Sequence, residues 1–124
     1  ISNHIFDMVE AVAQKKQRKA LDLYYDLLAL KEPPMRILFL MIRQYRILNQ
    51  VKGLLKAGYE RKEIASKAGL HTFVAGKYME QARHFETAVL RAVLEEGADL
   101  EQRVKTGRLT DKLAVELFLV KHSN

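Results

Sequence analysis

The sequence predicts an all-α fold, a helical bundle of about six or seven helices. Three observations predict it. Breakers are few, with two prolines and six glycines in 124 residues. Apolar residues recur at three- and four-residue steps along nearly the whole chain, the period of a helix with one buried face. No stretch shows the two-residue alternation of a half-buried strand.

The elements follow in order. Ser2 or Asn3 suits the cap of a first helix whose inner face carries Ile5, Phe6, Val9 and Val12 or Ala13. Lys15 and Lys16 fall near its end, where cations complement the helix dipole. A second helix turns Ala20, Leu21, Tyr24, Leu27 and Leu28 inward and stops at Lys31-Glu32-Pro33-Pro34. Pro34 then suits the first turn of a third helix, where its missing N–H would be unpaired anyway. That helix is the longest and clearest, with Ile37, Leu38, Met41, Tyr45, Leu48, Val51 and Leu55 recurring up to Gly58. Arg36, Arg43 and Gln50 lie seven apart on it and form a polar stripe, with Arg46 beside them. A short pair of helices meets around Gly69. The next helix is long and carries Phe85, Ala88 or Val89, Ala92 or Val93, then Leu100 and Val104. Gly97 inside it costs about 1 kcal/mol relative to alanine, which predicts a kink or a close helix contact there. Thr106-Gly107 stops this helix, and Thr110 or Asp111 caps a last one from Leu113 to Lys121. Leu113, Ala114, Val115, Leu117, Phe118, Leu119 and Val120 make that helix apolar nearly all round, which places it centrally or between subunits.

Composition bounds the function. The length fits one domain, residues 1–124, able to bury its own core without staples. Without cysteine there is no disulfide framework and no thiolate metal site, and the chain suits a reducing compartment. No apolar run approaches the roughly 20 residues needed to span a bilayer. The start, Ile1-Ser2-Asn3-His4, is neither a signal peptide nor an initiator methionine, so the expectation is a piece of a longer or processed protein. A net charge of +6 (21 basic minus 15 acidic residues) is compatible with nucleic-acid surroundings and equally with a solvated basic surface.

Catalytic chemistry is missing. His4, His71, His84 and His122 have no metal-ligand spacing and read as exposed or capping residues. Lys105-Thr106-Gly107 resembles one piece of the β-lactamase motifs, but the SxxK partner is absent, and the glycines of a phosphate loop do not precede it. Glu95, Glu96 and Asp99 cluster on a charged helix face without an evident partner. No cofactor site emerges. The pair around Gly69 has the outline of a helix-turn-helix, with His71, Thr72, Phe73, Gly76, Lys77 and Glu80 offered to bases. Arg61, Lys62 and Lys67 on the other helix would grip phosphates. Specific reading wants arginine, asparagine or glutamine at base edges, and here one lysine is offset by one glutamate. A pair used only for packing is the better reading, with a DNA-binding regulator as the alternative.

Three stretches point further: "EPPMRILFLMIRQYRILNQVKGLLKAG", with Arg43-Gln44 in an apolar helix after proline; "EIASKAGLHTFVAGKYMEQARHF", with Ile-Ala, Gly-Leu-His, Phe-Val and Gln-Ala-Arg-x-Phe elements; and "KTGRLTDKLAVELFLVK". In this order and spacing, over nearly the entire chain, they resemble the C-terminal domain of the delta subunit of bacterial DNA polymerase III. Thr72, Gly76 and Glu101 depart from the residues common there. The resemblance implies a collar domain of the clamp loader, cytoplasmic and part of the replisome at the nucleoid. It would belong to a non-catalytic subunit of the DNA polymerase holoenzyme, a nucleotidyltransferase. Its partners would be the gamma/tau and delta-prime subunits, with the sliding clamp held only through an N-terminal region and DNA contacted weakly or indirectly. Candidate interface or DNA-near residues are Arg36, Arg43, Arg46, Gln50, Lys77, Arg83, Lys105 and Arg108, with Arg103 beside the last two.

Overall fold

A computed structural model describes all 124 residues and contains seven helices and no strand. They are α1 (Ser2–Ala13), α2 (Gln17–Ala29), α3 (Pro34–Lys56), α4 (Arg61–Ala68), α5 (Thr72–Ala82), α6 (Thr87–Lys105) and α7 (Asp111–His122). None is long and apolar enough to cross a membrane.

Helix α3 is the axis. Its buried residues Ile37, Leu38, Met41, Tyr45, Leu48 and Val51 meet side chains from α1, α5, α6 and α7 in one continuous core. Ile42 packs opposite Gly97 and Lys56 bonds Thr87, so α3 and α6 run antiparallel. A Cβ at Gly97 would lie 2.9 Å from Ile42, which is why this position carries no side chain. The expected close contact is therefore present, and α6 is a single helix passing through Gly97. Tyr45 is wholly buried and edge-on to both Phe85 and Phe118. Burial holds its phenol well above the ordinary pKa, so it stays neutral.

Helix ends explain the tight connections. Lys16 N–H bonds back to Ala11 and Glu32 N–H to Leu27, each closing a six-residue stop. The left-handed residue in these two stops is Lys15 (φ 60°) and Lys31 (φ 67°), where glycine is usual. Lys15 also reaches the His122 carbonyl at 3.5 Å, and Gln17 donates to the Val120 carbonyl. The α1–α2 turn thereby holds the end of α7. Gly58, Gly69 and Gly107 supply the same conformation elsewhere, which makes Lys105-Thr106-Gly107 a helix stop, as expected.

Four expectations need correction. Ser2 and Asn3 lie inside α1, whose cap position is Ile1 with no side-chain bond. Lys15 and Lys16 lie beyond α1, in the turn described above. Phe85 is buried in the α5–α6 turn and not in a helix, so α6 buries Leu90, Val93, Gly97 and Leu100, while Ala88, Val89 and Ala92 face outward. His122 is neither exposed nor capping. It is half-buried with its ring against Phe118, and burial pulls its pKa below the ordinary value. Pro34 at the start of α3 and Thr110, which accepts from Leu113 N–H at the start of α7, stand where the sequence places them.

Candidate functional site

Three of the sequence candidates converge. Arg36 and Arg43 from α3 and Lys77 from α5 line one cleft of about 520 Å³, closed on its third side by the start of α1. The apolar floor is Ile5, Leu40 and Val74, and Phe73 stands at the rim, 69% exposed. Phe6 and Tyr78 meet edge to face at 6.2 Å in its wall, and the Lys77 ammonium lies 4.9 Å above the Phe6 ring. Burial raises the Tyr78 phenol above its ordinary pKa, and the neighbouring Arg43 charge opposes that rise. No aspartate or glutamate lines the cleft. Arg36 leans to Glu32 at 3.6 Å, whereas Arg43 and Lys77 make no ion pair.

The wall is held by a buried amide network. Gln44 on α3 donates to the Gln81 side chain on α5 at 2.8 Å. Gln81 in turn donates to the Phe6 carbonyl and to Glu10, both at 3.2 Å. Glu10 also meets His84 at 2.8 Å. This ties α1, α3, α5 and the α5–α6 turn together behind the cleft. Replacing Gln81 by alanine strands the Gln44 amide in the core. The expected loss is about 2–3 kcal/mol of folding free energy, read as a lower urea midpoint.

The other candidates lie apart. Gln50 donates to the Lys67 carbonyl and so braces α3 against the end of α4. Arg83 pairs with Glu80 at 3.1 Å. Arg46 is exposed on α3, and Lys105 and Arg108 are exposed around the stop of α6. Arg103 pairs with Asp99 at 3.8 Å, and Glu96 with Lys121 at 3.0 Å, so two of the three clustered carboxylates have partners after all.

The α4–α5 pair is built for packing. The Arg61 guanidinium lies over Gly76 and donates to the Thr72 and Phe73 carbonyls, so any Cβ at Gly76 would collide with it. Lys67 sits 4.7 Å above the Tyr59 ring. His71 caps α5 by accepting from Phe73 N–H, and Glu80 is engaged by Arg83. Arg61, Lys67, His71 and Glu80, four of the residues expected to read bases or grip phosphates, are thus engaged within the fold, while Lys62, Thr72, Phe73 and Lys77 stay at the surface. Sequence reasoning missed Phe6 and Tyr78 as cleft residues and the Gln44–Gln81 pair as core. An amide between Met41 and Leu48 on the inner face of α3 was the available signal for the pair.

A second surface stands out on α7. Ala114, Val115, Phe118 and Leu119 enter the core, yet Leu113, Leu117 and Val120 remain 44%, 40% and 40% exposed along one edge. The chain offers no group of three or more His, Asp or Glu side chains able to hold a metal.

Residues 2–122 match the family described as DNA polymerase III delta subunit, C-terminal domain. A curated relative, DNA polymerase III subunit delta of Bacillus subtilis (strain 168), is 34% identical over 121 residues. That alignment covers 98% of this chain and 35% of the relative, so the chain spans about a third of the relative's length. A solved structure, the Bacillus subtilis DNA clamp loader delta protein (YqeN), superposes with a TM-score of 0.93 at 34% identity, over 98% of this chain and 36% of its own.

Proposed function

Because the chain belongs to the family formed by the C-terminal domain of the DNA polymerase III delta subunit, we propose that it acts as a collar, holding a delta subunit in a ring with the gamma/tau and delta-prime subunits. In that ring the sliding clamp is opened and loaded on DNA during replication. Clamp binding belongs to the N-terminal region of such a subunit, and the part of this domain is assembly without catalysis. One observation carries the reading: α7 keeps Leu113, Leu117 and Val120 at the surface after its other face has filled the core. An apolar row of that kind is what an association surface leaves on a separated partner. Arg43 and Arg46 are exposed cations on α3 and form a second, separate candidate contact. The test is co-purification of the tagged chain with the other loader subunits. Reversing both charges, Arg43→Glu with Arg46→Glu, is expected to lower recovery of the partners about tenfold while far-ultraviolet circular dichroism stays unchanged. Undiminished recovery would remove these arginines from the interface.

A further inference from the structure

The cleft between α1, α3 and α5 carries three cations, Arg36, Arg43 and Lys77, and only Arg36 has a carboxylate partner, Glu32. The hollow on the other side of Phe73 differs, because Glu10 and Glu80 line it beside Lys77 and Arg61. In the cleft, Arg43 and Lys77 have no carboxylate partner and the only apolar ring standing free is Phe73. Cations above an apolar floor select a ligand that is both anionic and greasy. The volume, about 520 Å³, lies in the range that takes a side chain or two together with the backbone carrying them.

We propose that this cleft docks an acidic segment of another polypeptide, one that seats an apolar or aromatic side chain on Leu40 and Phe73 and sets its carboxylates against Arg36 and Arg43. Guanidinium groups suit carboxylates because their paired N–H groups match the two oxygens. A single nucleic-acid strand fits less well. Such strands need successive free ring faces along a charged track. Here the Phe6 face is covered by Lys77 and its ring is met edge-on by Tyr78, which leaves one platform only. Phe73 projecting from the first turn of α5 is then an anchor, held because Arg61 ties down the carbonyls of Thr72 and Phe73 beneath it.

Random twelve-residue peptides displayed on phage and panned on the wild-type chain test this without any other loader protein, so the outcome is independent of the ring reading. The expected enrichment is of sequences pairing Asp or Glu with Leu, Phe or Trp. An enriched peptide, labelled and measured by fluorescence polarisation, should bind at least about tenfold more weakly to Arg43→Glu and to Phe73→Ala. Its affinity should also fall as salt rises, since the attraction is partly between exposed charges. Both positions are exposed, and circular dichroism with an Arg43→Gln variant separates loss of binding from loss of folding. The proposal is overturned by enrichment of peptides without acids, by no enrichment, or by equal affinity for the variants. It is overturned equally if labelled oligothymidylate binds in a Phe73-dependent way and displaces the peptide, or if a second copy of the chain proves to fill the cleft.

Discussion

Glutamate at both Leu113 and Leu117 is expected to leave the bundle folded and to abolish its assembly with other clamp-loader subunits. The two side chains point outward from α7, 44% and 40% exposed, so charges there remain hydrated in the separated chain. Glutamate is also a good helix former, but both leucines are more than half buried and two glutamates four residues apart repel, so the fold should lose about 1–2 kcal/mol and still hold. In an interface the same charges would be stripped of water without partners, at a cost of several kcal/mol. That corresponds to at least a hundredfold weaker association. Sedimentation of the variant mixed with its partners reads the result directly. A complex of unchanged mass would show that the α7 edge faces solvent in the assembly, and the collar proposal would then have lost the observation on which it stands.

The second large effect lies on the opposite face of the same helix. Phe118→Ala is expected to destabilise the domain by about 3–5 kcal/mol, the usual range for emptying a phenylalanine site in a core. Phe118 is wholly buried, edge-on to Tyr45 at 5.9 Å and to His122 at 5.0 Å, and it also lies near Gly97. Its removal opens space among α3, α6 and α7 at once, where a wholly buried Tyr45 has little freedom to collapse. Thermal unfolding should show a fall of roughly 10–20 °C. A loss below about 1 kcal/mol would mean that α7 is an appendage and not part of the core. Taken together, the two substitutions would separate two roles of one helix: an inner face that supports folding and, on the collar proposal, an outer edge that supports association.

Much of the fold is legible because its signals are local. Proline at the head of α3, threonine at the head of α7 and glycine after α4 act within a turn of where they stand. The α5–α6 junction is illegible for the same reason. It is a run of tight turns at Arg83, His84 and Phe85, each N–H bonding three residues back, and it contains neither glycine nor proline. With no breaker to reset the count, the apolar period runs on from Phe85, so the first turn of α6 is misread at Ala88 or Val89 in place of Leu90, while Val93 and Leu100 fall where expected. Lys15 and Lys31 hide two helix stops in the same way, by holding a glycine conformation with a side chain. The surplus of apolar residues on α7 is visible in sequence because one helix contains it all. The cleft is not. Arg36 and Arg43 share a stripe seven residues apart, but Lys77, Phe73 and Phe6 join them only through the packing of α1 and α5 on α3. Gln44 and Gln81 carry the resemblance as motif letters, while their bond across 37 positions shows only in three dimensions.

The placement of α7 bears on how the protein is made. Tyr45 and Leu38 on α3 belong to the core that α7 completes, yet the ribosome produces them about seventy to eighty residues before Phe118. Until α7 emerges, that side of the nascent bundle stays greasy and uncovered, the condition in which chains stick to one another or recruit chaperones. Stalled or prematurely terminated translation products would therefore be aggregation-prone fragments rather than small stable domains.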